Sequence, residues 1–275
     1  MKIRQPVVAG SFYPSDAMML RRDVSEYISS ARMNVLPKPS YAVICPHAGY
    51  VYSGHVAAYS YVSAIDEIKN AETIVIIGPN HTGIGSDVAL SSVRWSTPLG
   101  ILSIDHEFIS MITDELMMVD DTSHASEHSI EVQLPFLQYV NPSAMIVPIC
   151  MKAQDISTAD HVAQNIFEAE KKSKRKVFVI ASSDLSHYVP SDIGEKVDMY
   201  VLESVFELDV KGFYDRLFES GASFCGYGPI AVAMFYSSLK GCESAELLKF
   251  ASSGEINANY SQVVDYAAIS FVKKV

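Results

Sequence analysis

Three histidines follow closely on apolar runs that have the composition of buried strands. They are His47 after "YAVIC" (41–45), His81 after "TIVIIGP" (73–79) and His187 after "KVFVIAS" (176–182). In open α/β sheets, ligands bind at the carboxyl ends of the strands. If these strands are parallel neighbours, the imidazoles converge at one edge, which suits a divalent metal ion or proton transfer.

Other polar residues lie beside these histidines. Asn80 precedes His81, and Asp184 lies three residues before His187 in "SSDLSHY", close enough to orient the imidazole. We expect His187 to do proton chemistry with Asp184 as its partner, and not to bind metal. The alternative is a purely structural role, in which His187 only makes hydrogen bonds within its loop.

The stretch "ASEHSIEVQLPFLQYV" (125–140) predicts a helix that opens with Glu127, His128 and Glu131. Residues three apart lie on one helical face, so His128 and Glu131 are expected to point the same way. A diiron carboxylate bundle needs a second such motif, and the sequence has none. We therefore expect these residues to support the pocket from behind or to orient a loop.

The four cysteines, Cys45, Cys150, Cys225 and Cys242, are scattered and form no C-x-x-C pair. A disulfide framework or a structural zinc knuckle is not expected from such spacing. Cys225 precedes a Gly-Tyr-Gly-Pro turn, where it is either a small core residue or a thiolate near a helix N-terminus. This stretch alone favours the core residue.

Apolar runs alternating with helical periodicity predict an α/β fold, a three-layer sandwich around a mixed, mostly parallel central sheet. The expected strands are 41–45, 73–79, 87–93, 100–105, 144–150, 176–182, 245–251 and 265–272. The expected helices include 55–66, 107–118, 127–140, 156–172, 192–208 and 228–239. The runs 87–93 and 100–105 are expected to form a hairpin. No linker or repeat interrupts the pattern, which predicts a single domain over 1–275.

Composition narrows the function classes. Hydrophobic residues make up 49% of the chain and charged residues 19%, and the net charge is −11. The only basic block, "EKKSKRKV" (170–177), fits a solvated helix end, so no nucleic-acid partner is expected. The apolar runs are shorter than the about 20 residues that span a bilayer. The N-terminal segment lacks the apolar core of a signal peptide, so we expect a cytoplasmic protein without a membrane partner.

Six motifs occur in a fixed order along nearly the whole chain: "AGSFYP", "CPHAGYVYSG", "IGPNHTG", "EHSIEVQLPF", "SSDLSHY" and "CGYGPIAV". Together they resemble the Memo family, which is structurally related to the class III extradiol ring-cleaving dioxygenases. The resemblance implies an extradiol-dioxygenase-like fold and a metal site formed by His47, His81 and Cys225. It also implies that Asp184 and His187 line the same pocket.

The sequence departs from the animal Memo proteins at two pocket positions. Phe12 stands in place of a tryptophan, and Thr82 in place of a second histidine. The animal proteins are described as phosphotyrosine-peptide binders, and the tryptophan that is absent here contributes to that adaptor role. Phe12 and Tyr50 are expected to line the pocket. Microbial members resemble the middle component of a system with an AMMECR-type protein and a radical-SAM protein, which the resemblance implies as partners.

The resemblance leads to a metal-dependent oxidoreductase hypothesis, with Fe(II) favoured, copper as the second choice and zinc less favoured. The implied thiolate ligand replaces the carboxylate of the dioxygenases, so kinship in fold does not imply ring cleavage. The ligand is expected to be a small molecule or a peptide. The alternatives are a non-catalytic peptide- or protein-binding module that uses the same pocket, and a hydrolase that uses metal-bound water.

Overall fold

The computed structural model describes residues 2–273, which contain a twelve-stranded sheet flanked by helices. The strands are β1 (Ile3–Arg4), β2 (Ser40–Cys45), β3 (Thr73–Pro79), β4 (Val88–Leu90), β5 (Arg94–Thr97), β6 (Gly100–Ile104), β7 (Met117–Val119), β8 (Met145–Met151), β9 (Val177–Ser182), β10 (His187–Val189), β11 (Ala245–Ser252) and β12 (Val263–Val272). The helices are α1 (Ala17–Arg32), α2 (Tyr50–Ser63), α3 (Ile65–Asn70), α4 (His106–Ile112), α5 (Leu134–Val140), α6 (Ile156–Ser173), α7 (Ser191–Phe206), α8 (Val210–Ser220), α9 (Tyr227–Leu239) and α10 (Gly254–Asn257). A short 3₁₀ helix, Glu131–Gln133, precedes α5.

The sheet is parallel at its centre and antiparallel towards its edges. Its main path is β1-β5-β6-β8-β3-β9-β2-β12-β10, and β6, β8, β3, β9 and β2 all run parallel. In register, Cys45 of β2 pairs with Ser182 of β9, and Ile77 of β3 pairs with Ala181. The expectation that the three histidine-bearing strands are parallel neighbours is confirmed. Their carboxyl ends meet at one edge.

Two helical layers cover the sheet. All seven residues of β3 are buried, as in a strand covered on both faces. Helix α9, whose apolar residues occur almost all round, packs on β2, β3 and β9 and against α6. Helix α2 packs on β2 and β12 and against α1 and α5. The α/β class with a mixed, mostly parallel sheet is confirmed. No helix within residues 2–273 is long and apolar enough to cross a membrane.

The prediction that 87–93 and 100–105 form a hairpin is wrong. β4 pairs with β7 and β8, and the hairpin is instead formed by β5 and β6, where Trp95 faces Leu102. Strand β4 ends at Leu90, three residues before the predicted end, because the hydroxyls of Ser91 and Ser92 donate hydrogen bonds to the carboxylate of Asp121. This turns the chain before the next strand, β5, which begins at Arg94 and contains the buried Trp95.

Two of the expected helices are shorter than predicted. Helix α4 ends at Ile112, because the Asp114 carboxylate accepts the N–H groups of Leu116 and Met117 and forms a turn. The stretch 125–140 becomes helical only from Glu131 onward, with Pro135 in the first turn of α5. His128 and Glu131 therefore do not share a helical face.

Candidate metal centre

Three imidazoles meet at the carboxyl edge of the sheet. His47 follows β2, His81 follows β3, and His128 lies in the turn before the 3₁₀ helix. One nitrogen of each lies within 4.8 Å of the others, so the three can hold a metal ion. His47 is buried, whereas the side chain of His81 is 34% exposed, so the group is open to solvent on one side.

Hydrogen bonds fix the tautomer of His47. Its Nδ1 lies 2.8 Å from Ser182 Oγ. That hydroxyl already donates its proton to the carbonyl of Ser129 at 2.7 Å and accepts from the amide of Gln133. Ser182 Oγ must therefore accept from His47, which puts the ring proton on Nδ1. The Nε2 lone pair is left free to face the pocket.

The carboxylate of Glu127 lies beside the other two rings and is hydrogen-bonded to that of His81. His81 Nδ1 lies 2.9 Å from Glu127 Oε1, and His128 Nδ1 lies 3.4 Å from the same oxygen. Because a carboxylate only accepts, the hydrogen bond holds a proton on Nδ1 of His81, so the lone pair of the neutral His81 ring lies on Nε2. Metal-binding histidines are commonly held in this way through their other nitrogen. His47 and His81 thus present Nε2 as candidate donors, and His128 adds one ring nitrogen within 4.8 Å of theirs.

Glu127 is buried, yet it is ionised. Its oxygens accept the backbone N–H groups of His81, His128 and Ser129 at 2.6 to 2.8 Å. Burial raises the pKa of this carboxyl, but the hydrogen bond and charge of His81 and the Ser129 N–H outweigh burial and hold the pKa at about 2. One buried anion therefore ties the loop after β3 to the turn that carries His128. The sequence predicted only a supporting role for Glu127, together with His128 and Glu131.

The charge state of the imidazoles suits metal binding. Burial lowers the pKa of His47 well below 6.5, and the neighbouring imidazoles of His128, His81 and His187 lower it further. Burial also lowers the pKa of His128, against the charge of Glu127. The neutral ring is the form that coordinates a transition metal. His47 and His128 are therefore neutral donors that fit such an ion, and His81 brings a third ring nitrogen within 4.8 Å of theirs.

Cys225, which the family resemblance implies as a ligand, lies next to this group. Its Sγ is 3.2 Å from His47 Nε2 and accepts the N–H of Asp184 at 3.3 Å. It lies outside the set whose donors are all within 4.8 Å of one another. Burial raises the pKa of the Cys225 thiol, and the charge of Asp184 raises it further. The start of α9 therefore does not make this thiol a thiolate, and the thiol can donate to His47 Nε2.

Exposure nevertheless makes Cys225 the expected target of alkylation. Within residues 2–273 the side chains of Cys45, Cys150 and Cys242 are buried, whereas that of Cys225 is partly exposed. Iodoacetamide should therefore modify Cys225 first in metal-free protein, and a bound transition metal should slow the reaction. Mass spectrometry of the peptides measures the order, with Cys225→Ser as the control. Modification of Cys242 ahead of Cys225 would contradict this expectation.

Asp184 and His187 lie at the same edge but are not hydrogen-bonded to each other. Asp184 Oδ1 accepts the N–H groups of His47 and Ala48 at 2.8 and 3.3 Å. Burial raises the pKa of Asp184 to about 6, partly offset by the N–H of His47. Asp184 therefore does not orient His187 as expected, because its carboxylate accepts hydrogen bonds from the backbone of the turn after β2.

Ser223 orients His187 instead. His187 Nδ1 lies 3.1 Å from the Ser223 carbonyl, and the His187 N–H donates to Ser223 Oγ at 2.8 Å. A carbonyl only accepts, so the neutral ring carries its proton on Nδ1 and keeps an Nε2 lone pair. That lone pair can accept a proton.

Phe12, Tyr50 and Asn80, which were expected near the pocket, differ in their roles. Phe12 contacts an imidazole directly, because its ring packs edge-on against His128 with centroids 4.9 Å apart. Tyr50 is buried at the start of α2 and donates to the Val132 carbonyl. Asn80 shapes the loop after β3 by accepting the N–H groups of Thr82 and Gly83.

Glu131 points away from the pocket. Its carboxylate pairs with Arg4 at 2.6 Å and accepts the Tyr13 hydroxyl at 2.6 Å. It also accepts the N–H groups of Val7 and Val8. Arg4 in turn donates to the carbonyl of Glu127. This buried cluster fixes the N-terminal segment that carries Phe12 against the imidazoles.

The loop of His187 holds a strained residue. Tyr188 has a φ of +59° and is 74% exposed, and it sits where the pairing of β10 with β12 shifts register. The left-handed region costs a residue with a Cβ about 1–2 kcal/mol. Tyr188→Gly should therefore be about 1 kcal/mol more stable than Tyr188→Ala, since both remove the ring and only glycine removes the strain. Urea unfolding of the two variants tests this, and equal stabilities would contradict it.

Fold and site together define an α/β protein with a cluster of imidazole donors at the carboxyl edge of a mostly parallel sheet. The sequence profile described as "Memo-like protein" matches residues 4–270. The chain belongs to the Memo family.

Similar proteins agree with this assignment. A "MEMO1 family protein" of Archaeoglobus fulgidus is 45% identical over 98% of this chain and 99% of its own length. The "MEMO1 family protein Mbar_A1422" of Methanosarcina barkeri is 43% identical over 97% and 99%. The crystal structure of the uncharacterized protein JW3007 from Escherichia coli K12 superposes with a TM-score of 0.52 at 8% identity, covering 84% of this chain and 99% of that one. That last likeness concerns the fold.

Proposed function

We propose that this chain binds one transition metal ion through His47, His81 and His128 and uses it in oxidation chemistry on a small molecule. The observation that carries the proposal is the convergence of three imidazoles, of which His47 and His81 are each held through Nδ1 by a hydrogen bond on the side away from the pocket. Cys225 Sγ, 3.2 Å from His47 Nε2, is placed to add a fourth and softer donor. The family resemblance implies His47, His81 and Cys225 as ligands, and the proposed set adds the imidazole of His128.

Fe(II) is the favoured ion, copper the second choice and zinc the third. Imidazole suits all three, and a sulfur donor suits copper and zinc as well as iron. Four protein donors fill the tetrahedral shell of a structural zinc ion, whereas a six-coordinate ion retains open positions. When bound, the ion would supply a redox-active Lewis acid at the edge of the sheet.

The chain's own residues supply the remaining chemistry. His187 offers an Nε2 lone pair beside the imidazoles and is our proposed general base, a role usually worth about 10²–10⁴ in rate. Asp184 holds the backbone of His47 and Ala48, so it positions the donor group. Phe12 covers one side of His128 and helps to exclude water.

Dioxygen uptake tests this proposal. The protein is purified anaerobically, loaded with Fe(II), copper or zinc in turn, and tested with a panel of catechols and thiols. Wild type loaded with Fe(II) or copper should consume dioxygen with at least one class. His187→Gln should retain its metal and lose most of the turnover. Ester or amide hydrolysis by the zinc form, without dioxygen uptake by any form, would favour a hydrolase.

One observation favours a binding module as the second candidate. A cavity of about 500 Å³ opens beside Phe12 and is lined by residues of the N-terminal segment, α1 and α2, including Asp16, Tyr27 and Tyr50. Phe12 both lines this cavity and packs against His128. Tight binding of a peptide that survives complete removal of metal, in a protein without turnover, would support this candidate over an oxidoreductase.

A further inference from the structure

Two carboxylates lie buried beneath the loop that carries Asp184 and His187. Asp198 projects from α7 and Asp265 from β12, and both residues are 0% exposed. The Asp198 carboxylate accepts both the hydroxyl and the N–H of Ser186. Neither oxygen of Asp265 receives a hydrogen bond from a donor in the described part of the chain. A buried carboxylate without donors or a counter-charge is costly in its ionised form.

The surroundings of the pair add negative charge. The charged groups that face Asp265 are Asp198 and Glu195 of α7 and Glu255 of α10. Burial and the negative charge of Asp198 together raise the pKa of Asp265 to about 8. Burial raises the pKa of Asp198 too, against its hydrogen bonds from Ser186. Two like charges at such a site favour retention of one proton.

The hydrogen bonds decide which carboxyl keeps that proton. Asp198 already accepts two hydrogen bonds from Ser186, so it is the natural acceptor. No group in the described part of the chain donates a hydrogen bond to the Asp265 carboxyl. Asp265 is therefore the residue that carries the proton and donates it to Asp198. The backbone of α7 approaches Asp265 so closely that a Cβ at Gly194 would overlap its Oδ2. Asp198 lies four residues after Gly194 on α7, so it projects from the same face of the helix that meets Asp265.

We propose that Asp198 and Asp265 share one proton and that this pair positions the loop between Asp184 and His187. The loop is held at its centre on three sides. The Leu185 N–H donates to the Asp265 carbonyl at 2.8 Å, the Asp265 N–H donates to the Ser186 carbonyl at 3.0 Å, and Asp198 holds the Ser186 side chain. Asp198 and Asp265 are positioning residues, and only the role of His187 in this account rests on the proposed function.

Loss of the shared proton puts two negative charges into one buried space, beside Glu195 and Glu255. Release of Ser186 and opening of the loop would relieve that repulsion. Because the pKa of Asp265 is raised in the folded state, its contribution to stability is fully present below the ordinary aspartate pKa. The contribution is lost as pH rises through about 8.

Asp265→Asn tests the pair, because an amide donates to Asp198 without a titratable proton. Wild type should lose thermal stability between about pH 5 and about pH 9, and the variant should lose less and be the more stable protein at the upper end. Asp192→Asn, an exposed site on the same helix, is the matched control and should follow wild type at every pH. Parallel pH profiles for wild type and Asp265→Asn would overturn the proposal.

Local amide hydrogen exchange separates loop positioning from general stability. At about pH 9 the peptide 183–188 should exchange several-fold faster in wild type than in Asp265→Asn, while β3 exchanges equally in both. Equal exchange in the loop would overturn the positioning role. Metal content should be the same in both proteins, so failure here is distinguishable from failure of the metal proposal.

The wild type alone gives a direct readout if the variant does not fold. With aspartate labelled at its carboxyl ¹³C, one resonance should titrate with a midpoint above about pH 7, far from the ordinary value of about 3.9. A spectrum in which every aspartate is ionised by about pH 6 would overturn the shared proton.

Discussion

His128→Ala is expected to lower the affinity for Fe(II) by more than the about 10–100-fold that loss of an outer hydrogen-bond partner costs. The reason is that His128 supplies one of three imidazole nitrogens that lie within 4.8 Å of one another. Anaerobic titration against a chromophoric chelator measures the affinity. Glu127→Gln keeps all three rings but weakens the orientation of His81, so it should fall within that range.

A surface histidine provides the matched control for this prediction. His106 is exposed at the start of α4, away from the imidazole group, so His106→Ala should bind metal as wild type does. The result that contradicts our donor set is specific. If His128→Ala binds Fe(II) as tightly as wild type while Cys225→Ala does not bind it, the ligands are His47, His81 and Cys225.

Glu131→Ala is expected to lower the free energy of unfolding by about 3–5 kcal/mol, the range for breaking a buried ion pair. The change leaves Arg4 buried without its partner and removes the acceptor for Tyr13 and for the N–H groups of Val7 and Val8. Urea unfolding measures the loss. The N-terminal segment should also loosen, which would expose Phe12.

An exposed ion pair serves as the control for Glu131. Lys38 and Glu246 are paired at 2.6 Å, but their side chains are 50% and 41% exposed. Glu246→Ala should therefore cost less than about 1 kcal/mol. If Glu131→Ala cost as little as Glu246→Ala, the buried cluster would not be what holds the N-terminal segment.

The sequence was sufficient to predict where two of the imidazoles lie. His47 and His81 each follow an apolar run, and the parallel register of β2, β9 and β3 brings the ends of those runs together. Strands buried on both faces have a recognisable composition, and residues directly after such strands lie at the carboxyl edge of the sheet. The ligand set that the resemblance implies, which includes Cys225, stays a prediction.

His128 was harder to predict because its position depends on a turn and not on a periodic element. Helical spacing suggested that His128 and Glu131 point the same way, yet they face the pocket and Arg4 respectively. The cause is Glu127, whose carboxylate accepts the N–H groups of His128 and Ser129 and keeps the chain out of a helix until Glu131. A side chain that binds its own backbone can override periodicity.

The partners of Asp184 and Asp265 were beyond sequence reasoning for a related reason. Asp184 lies three residues from His187, but the loop between them is not helical, so this spacing does not bring their side chains together. Asp265 meets Asp198 through the packing of α7 on β12. Such pairings between distant segments depend on tertiary structure and have no local signal.

X-ray absorption spectroscopy at the iron edge of the anaerobically loaded protein tests the central claim most directly. It counts the imidazole rings around the ion without knowledge of the substrate. The account predicts scattering from three imidazole rings at one iron ion per chain, and a sulfur scatterer in addition would add Cys225 to the set. A spectrum that requires two rings or fewer, or a protein that takes up no iron, would contradict it.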